Sequence, residues 1–357
     1  MITIGEIGAR KVRFTNYSPE GRAGAVSVYD SGDYSTGSGF EVSLGAKAVS
    51  FVVPFGGENM VSPCKLDEKL PYEFENLAGK YPLYAPYTGS ILRDAFRYLK
   101  IPAFVFFDTS FFNLLPEEDR GYALPLSAAN RQELRKSGAH GIFHEYAGEL
   151  SGKNDKTVSF VLDKKTTVSA SYNGLPKTIS LGLTPLEGIM SLNSSGDIDP
   201  GIAFYLMKQE GLTPHGLDEL LNKKSGFLGL TGNNFTMKEF AELRGKNNKI
   251  ALAFEVYKSQ ILKYFGEAVA VLNGVDSIVF SGSNISVLQG LIVELLKQAG
   301  FLGITLKELP WESNQEIEMV SAVDSKVSVF LNRKSVAGIV FEKTLKLTCG
   351  PNIQSLN

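Results

Sequence analysis

The stretch from Lys47 to Asp108 does most to limit the fold. KAVSFVVPFGG reads as a buried strand closed by a glycine pair. SILRDAFRYLK then places Ile91, Leu92, Ala95, Phe96 and Leu99 at helical spacing. PAFVFFD follows as a second buried strand, ending on Asp108. A strand, a helix and a further strand ask for an α/β layer, because the helix covers its apolar face by packing on a sheet.

The texture changes near residue 112. Before it lie β-like runs, MITIGEIG, KVRFTNY and AVSVYD, bounded by Gly, Asn and Asp. After it, AANRQELRKSG predicts a helix stopped by Gly138. TVSFVLD and TTVSASY alternate, and Asn173-Gly174 predicts a type I′ hairpin turn into KTISLG. The segment SLGLTPLEGIMSLNSSGDIDPGI predicts a helix starting at Thr184-Pro185, then a polar turn, then a second helix. Further helices are predicted over Pro200 to Gln209, Leu217 to Asn222, Thr236 to Arg244 and Ile250 to Leu272. SIVFSGSN predicts a buried strand ending in a small-residue turn, with ISVLQGLIVELLKQAG as the helix after it. Such a turn at a helix N-terminus can cradle a phosphate; it is also an ordinary βα connection.

At 357 residues the chain exceeds one ordinary domain, so two are expected. Hydrophobic residues are 43% and charged residues 21%, enough for a sizeable core. A net charge of −2 argues against nucleic acid or an anionic membrane as the main partner. No apolar run approaches about 18 residues, so no membrane span is expected. MITIGEIGARKVRF lacks the unbroken apolar core of a signal peptide. Two distant cysteines, Cys64 and Cys349, fit a reducing cytoplasm. Three histidines and two cysteines leave little for a His/Cys metal cage.

Several segments, in order along most of the chain, resemble the acetate kinase family. TPLEGIMSLNSSGDIDPGI resembles its TPLEG…SGxIDP pattern, VFFDTSFF its VFDTAFH, and GAHGIFHEY its GFHGTSH. KSGFLGLTG resembles SGLLGISG, YPLYAP the PLAP stretch, and ITIGEIGARKVRF the opening VLVINAGSSSLKF. The resemblance implies an α/β fold of two ribonuclease H-like domains in the actin-like and sugar-kinase superfamily, with a cleft between them. The implied domains are 1–112 plus 339–357, and 113–338. It also implies transfer of the ATP γ-phosphoryl group to a short carboxylate such as acetate, with Mg²⁺, in a homodimer.

The resemblance assigns roles residue by residue. Asp108 matches the aspartate of the FDT motif, at the metal or the acceptor. His140 matches the histidine that donates to the moving phosphoryl, and His144 a more structural one. Pro185 and Ala139 fall in the acyl pocket, where Ala139 replaces a phenylalanine. The HLGNG phosphate loop falls on Val161-Leu162-Asp163-Lys164-Lys165, so Asp and Lys stand where glycines let phosphate approach the backbone. Lys164 and Lys165 are the substitute phosphate cations. Gly282 and Ser283 remain of a shortened GIGEN turn, and Lys238 stands in the adenosine-side DMR. Glu6 replaces an asparagine beside the metal, a hard carboxylate suited to Mg²⁺.

The losses concern charge. The arginine of GTRSG falls on Ser194 and that of RVVHGGE on Val52. The C-terminal metal glutamate falls near Val336 or Ala337. Phosphoryl transfer depends on cations that neutralise the equatorial oxygens, so three expectations stand together. One is an acetate kinase-like phosphotransferase of weak or lost activity. The second is a catalytically inactive homodimer with an interaction or regulatory role, and the third a small-molecule binder without turnover. Arg10, Arg13, Arg93 or Arg97 could reach the cleft as replacement cations.

Overall fold

The computed structural model describes residues 1–8, 11–30, 45–57, 59–77, 85–125, 127, 134–152, 154–311 and 315–349. It divides into two compact units, Met1–Leu114 with Ser335–Asn357, and Leu115–Lys334. No described helix is long and apolar enough to cross a membrane.

The first unit holds β1 (Ile2–Ile7), β2 (Lys11–Tyr17), β3 (Ala23–Asp30), β4 (Ala48–Val53), β5 (Cys64–Lys65), α1 (Leu70–Asn76), α2 (Ala85–Tyr98) and β6 (Ala103–Phe107). The second holds α3 (Glu117–Arg120), α4 (Gly141–Ser151), β7 (Thr157–Leu162), β8 (Thr166–Tyr172), β9 (Leu175–Ile179), α5 (Pro200–Gln209), α6 (Pro214–Lys223), α7 (Gly226–Thr231) and α8 (Met237–Leu243). It continues through α9 (Asn248–Leu272), β10 (Ser277–Ser281), α10 (Gln289–Gln298), β11 (Ile317–Met319) and β12 (Ser328–Asn332). The chain then returns to the first unit as α11 (Val336–Cys349).

The two described sheets share one plan. The first runs β3-β2-β1-β4-β6-β5, and the second, read in the matching direction, β9-β8-β7-β10-β12-β11. In each, three antiparallel strands come first in the chain: β1 to β3 and β7 to β9. Parallel strands β4 and β6, or β10 and β12, then join the first of them. Each sheet is covered by a helix that follows the other unit's strands in the chain. The chain leaves β6 and reaches α4, which packs on β7 and β10; it leaves β12 and reaches α11, which packs on β1 and β4.

Alternation explains each sheet's two faces. Val158, Phe160, Leu162, Val168, Ala170, Ile278 and Phe280 face the core against α9. Phe160 stacks on Phe280 with ring centroids 4.6 Å apart. The opposite residues, Thr157, Ser159, Thr167, Ser169, Ser171, Ser277 and Ser281, are small, hydroxylated and buried. In the first unit the corresponding contact with α11 includes a bond between Ser50 Oγ and Thr344 Oγ1 at 2.7 Å and stacking of Tyr17 on Phe341.

The structure corrects three expectations. Residues 183–199 hold no α-helix: Thr184-Pro185 lies in a turn, and paired glycines fold the segment back on itself. The helix expected from Ile285 begins at Gln289, because Gly282, at φ +106°, sends the chain through further turns first. Of the helix expected over 128–138, residues 128–133 lie outside the described residues. Residues 134–138 are not helical, since Arg135 bridges to Gly121 and Gly138 N–H donates to Gly182 O. Arg10 and residues 81–84 of YPLYAP also lie outside the described residues.

Candidate active site

The hydroxyl-lined face of the second sheet sets the position of both family-matched histidines. His140 and His144 lie one turn apart, at the start of α4. His144 is buried, with Nδ1 2.7 Å from Ser159 Oγ and Nε2 2.8 Å from Thr167 Oγ1. His140 Nδ1 is 3.0 Å from the same Thr167 hydroxyl, which turns Nε2 to the far side of the ring. The result is a chain Ser159–His144–Thr167–His140. His140 itself has φ +60°, a left-handed conformation that costs a non-glycine residue about 1–3 kcal/mol and gathers at functional positions.

Burial, reinforced by the neighbouring His140, holds the His144 pKa well below its ordinary value. The ring is therefore neutral, with one nitrogen donating and the other accepting. The unfolded chain takes up a proton near pH 6.5; the folded chain resists it. Stability is therefore complete above that pH and declines as pH falls below it. His144→Gln is expected to flatten this loss, measured as melting temperature between about pH 7 and about pH 5.

The irregular wall 183–199 is a network of close backbone contacts. Gly188 N–H donates to Asp197 Oδ1 at 2.6 Å, and Asp197 N–H returns to Gly188 O at 2.8 Å. Tyr264 of α9 donates to Asp197 Oδ2. Tyr122 donates to Glu187 at 2.5 Å. Asp199 caps α5 by accepting from Gly201 N–H, with Pro200 at the first helical position. A side-chain carbon on Gly196 would meet Gly188 O at 2.4 Å, so the family-like SGDIDP spelling serves a fold-back. Ser194 is buried in this wall, its hydroxyl 2.8 Å from Ser191 Oγ.

Lys165 leaves the β7–β8 turn and reaches that wall. Its ammonium donates to Ile189 O at 2.6 Å and lies 3.5 Å from Ser194 Oγ. Burial lowers its pKa to about 8, partly opposed by the negative charge of Asp197. Lys164, by contrast, is exposed. Pro185 is exposed on the wall and Ala139 half-buried; the preceding Ser137 and Gly138 N–H groups donate to Gly182 O, three residues before Pro185.

The turns expected to meet nucleotide phosphates do come together. Asn284 N–H donates to Leu162 O at 3.0 Å, and a side-chain carbon on Gly282 would sit 2.5 Å from that oxygen. Between them lies a carboxylate. Asp163 Oδ1 accepts from Lys164 N–H at 2.8 Å and from Ser283 Oγ at 2.9 Å. Lys238 stands apart from these turns in the bonding pattern, on the exposed side of α8, 4.0 Å from Glu242. Thr236 and Met237 beside it are used for the helix cap and the core.

In the first unit the candidate acids lie at the C-terminal ends of parallel strands. Asp108 follows β6, its N–H donating to Val53 O at 2.9 Å. Glu6 pairs with Val52 on one side and with Arg13 on the other, so a cation shares its face of the sheet. Val52, where the resemblance expects an arginine, is buried, and so is Ala337 within α11. Arg93 is ion-paired with Glu75 and lies over the Tyr72 ring. No group of three His, Cys, Asp or Glu side chains suited to a metal occurs among the described residues. Mg²⁺ needs only one or two protein carboxylates when substrate phosphates and waters complete its shell.

The model of the acetokinase family matches residues 41–335. The chain belongs to that family. It is 35% identical to acetate kinase of Dictyoglomus turgidum over 297 residues, 80% of this chain and 72% of that one. It is 37% identical to acetate kinase of Porphyromonas gingivalis over 234 residues, 63% of this chain and 59% of that one. The crystal structure of Porphyromonas gingivalis acetate kinase superposes with a TM-score of 0.87 at 24% identity, covering 97% and 99% of the two chains. A propionate kinase of Francisella tularensis gives 0.83 at 20% identity, covering 95% and 97%. The fold is therefore that of the family's solved members.

Residues that the motifs alone did not mark stand beside the second unit's candidates: Thr167, Ser159 and Tyr264. A signal existed for the first two. Histidines four residues apart share a helix face, and TTVSAS puts hydroxyls on one face of a strand. Asp197 and Tyr264 are 67 residues apart in sequence, and no spacing rule joins them.

Proposed function

We propose that the chain is an acetate kinase-like phosphotransferase, moving the ATP γ-phosphoryl group onto a short carboxylate to give an acyl phosphate and ADP, at a low rate. The observation that carries this reading is His140, held by Thr167 at the entrance of α4 within a family fold. The acceptor carboxylate is already ionised near neutral pH, so no base is needed to activate it. One P–O bond breaks to ADP and one forms to the carboxylate oxygen.

His140 meets the phosphoryl oxygens, and Pro185 with Ala139 borders the acyl group. Asp108, aided by Glu6, would hold Mg²⁺, which supplies charge neutralisation on the phosphate oxygens. Gly282 and Ser283 border the nucleotide phosphates and Lys238 its adenosine side. A homodimer in the cytoplasm, with ATP and a small carboxylate as its partners, completes the reading.

A catalytically inactive interaction or regulatory homodimer is the second reading, and Asp163 favours it by placing a negative charge in the phosphate turn. A hydroxamate assay with MgATP and acetate, propionate or butyrate separates the two. Acyl phosphate at a rate roughly 10³–10⁵ below an arginine-equipped enzyme, abolished by Asp108→Ala, supports the first. No product with any acceptor, alongside a stable dimer in sedimentation, supports the second.

A further inference from the structure

Lys165 presents a problem of charge. An ammonium drawn largely out of water is costly unless it is paired, yet no carboxylate lies within ion-pair distance of it among the described residues, and its hydrogen-bond partners are neutral oxygens. Asp197 influences it from further away, but both oxygens of that carboxylate are engaged, by Gly188 N–H and by Tyr264. An ammonium has three N–H donors. One is committed to Ile189 O at 2.6 Å, and the 3.5 Å approach to Ser194 Oγ is too long to commit a second fully. Capacity for an anion is therefore present where the β7–β8 turn meets the wall.

We propose that Lys165 forms an oxyanion site in the second unit, and that the anion it takes is the phosphoryl group in transit. The naming of the anion rests on the phosphotransferase reading; the anion site itself does not. Two further features support it. Lys165 immediately precedes the strand that carries Thr167, the hydroxyl holding His140, so one short segment serves both groups. Ser194, beside the ammonium, is the position where the family pattern carries an arginine. A side chain from the neighbouring turn thus brings a cation to a place whose own residue has lost it. The charged and titratable groups on the surrounding elements are Asp163 and Lys164 in the turn, Glu187 and Asp197 in the wall, Tyr264 on α9 and His140 before α4.

The test uses sulfate, whose charge stays constant across the range, in calorimetric titrations of the full chain at about pH 6.5 and about pH 9.5. Wild type is expected to bind at the lower pH and to lose about 30-fold in affinity at the higher, as an amine of pKa about 8 deprotonates. Lys165→Met should abolish binding at both. Lys165→Arg should bind at both without the fall, and it decides the matter if the methionine variant melts early. In the hydroxamate assay Lys165→Met should lower kcat about 1000-fold, with the KM for acetate held within about twofold. Lys165→Arg should restore kcat and remove the alkaline decline. Equal sulfate affinity in wild type and Lys165→Met, or no binding by wild type, overturns the site. Equal turnover of the two overturns its role while leaving the phosphotransferase reading intact. Sulfate binding lost in Lys165→Met with no acyl phosphate from wild type would sink that reading and keep the site.

Discussion

Gly226→Ala is expected to destabilise the second unit by about 3–5 kcal/mol. Gly226 opens α7 at φ +64°, and a side-chain carbon there would lie 2.1 Å from Ser191 O and 2.8 Å from Ser194 O. Both atoms are backbone of the irregular wall, so neither can swing aside as a side chain would. The wall is also tied to α7 by hydrogen bonds from Phe227 N–H to Ser191 O and from Leu228 N–H to Leu192 O, which any retreat would break. Gly211 supplies the control. It has the same φ of +64° and nothing within 4 Å of the added carbon. Gly211→Ala should therefore show the conformational cost alone, about 1 kcal/mol. Urea denaturation of the two variants isolates the collision. Equal losses would mean that the wall yields freely and that Ser194 is not rigidly held.

Asp163→Gly is expected to tighten MgADP binding by about 100-fold or more. The Asp163 carboxylate already accepts from Lys164 N–H and Ser283 Oγ, two donors that an incoming phosphate would use. A phosphate oxygen about 4 Å from that carboxylate would be repelled by about 4 kcal/mol at an effective dielectric of about 20. Removing the side chain lifts the repulsion and frees both donors. The exposed Lys164 stays to add attraction. Calorimetric titration of wild type, Asp163→Gly and Asp163→Asn with MgADP reads the effect. The asparagine variant should fall between the others, since it removes the charge and keeps the acceptor. Unchanged affinity in both would show that nucleotide phosphates do not approach this turn.

Much of the fold was readable because its signals are local. The Asn173-Gly174 turn is one, with both residues at positive φ. The helix Pro200–Gln209 is another, with Asp199 as cap and Pro200 at its first position. The wall at 183–199 was misread for the opposite reason. Thr184-Pro185 has the spelling of a helix start, but its course is fixed by close backbone contacts at Gly188, Gly196 and Gly226, the last with Ser191 and Ser194, far from it in sequence. The candidate site divides in the same way. Asp108 and His140 stand on short motifs and could be placed by them. That Lys165 reaches back to Ser194, 29 residues on, depends on the closure of the β7–β8 turn over the wall. That Arg13 stands across from Glu6 depends on strand register, which the sequence of either strand leaves open.

The late position of α11 in the chain has a consequence for synthesis. The second unit is one continuous segment, Leu115–Lys334, whose core can close as soon as that segment has left the ribosome. The first unit must wait. Its strands emerge early, but the helix that buries Ser50 and Tyr17 is made more than 280 residues later, with Val336–Cys349. Throughout that interval the β1–β4 surface stands uncovered, with apolar Ile2, Ile4 and Val52 among its residues. Nascent chains halted before residue 336 should therefore be the species that chaperones hold and proteases cut, with the cuts confined to the N-terminal part.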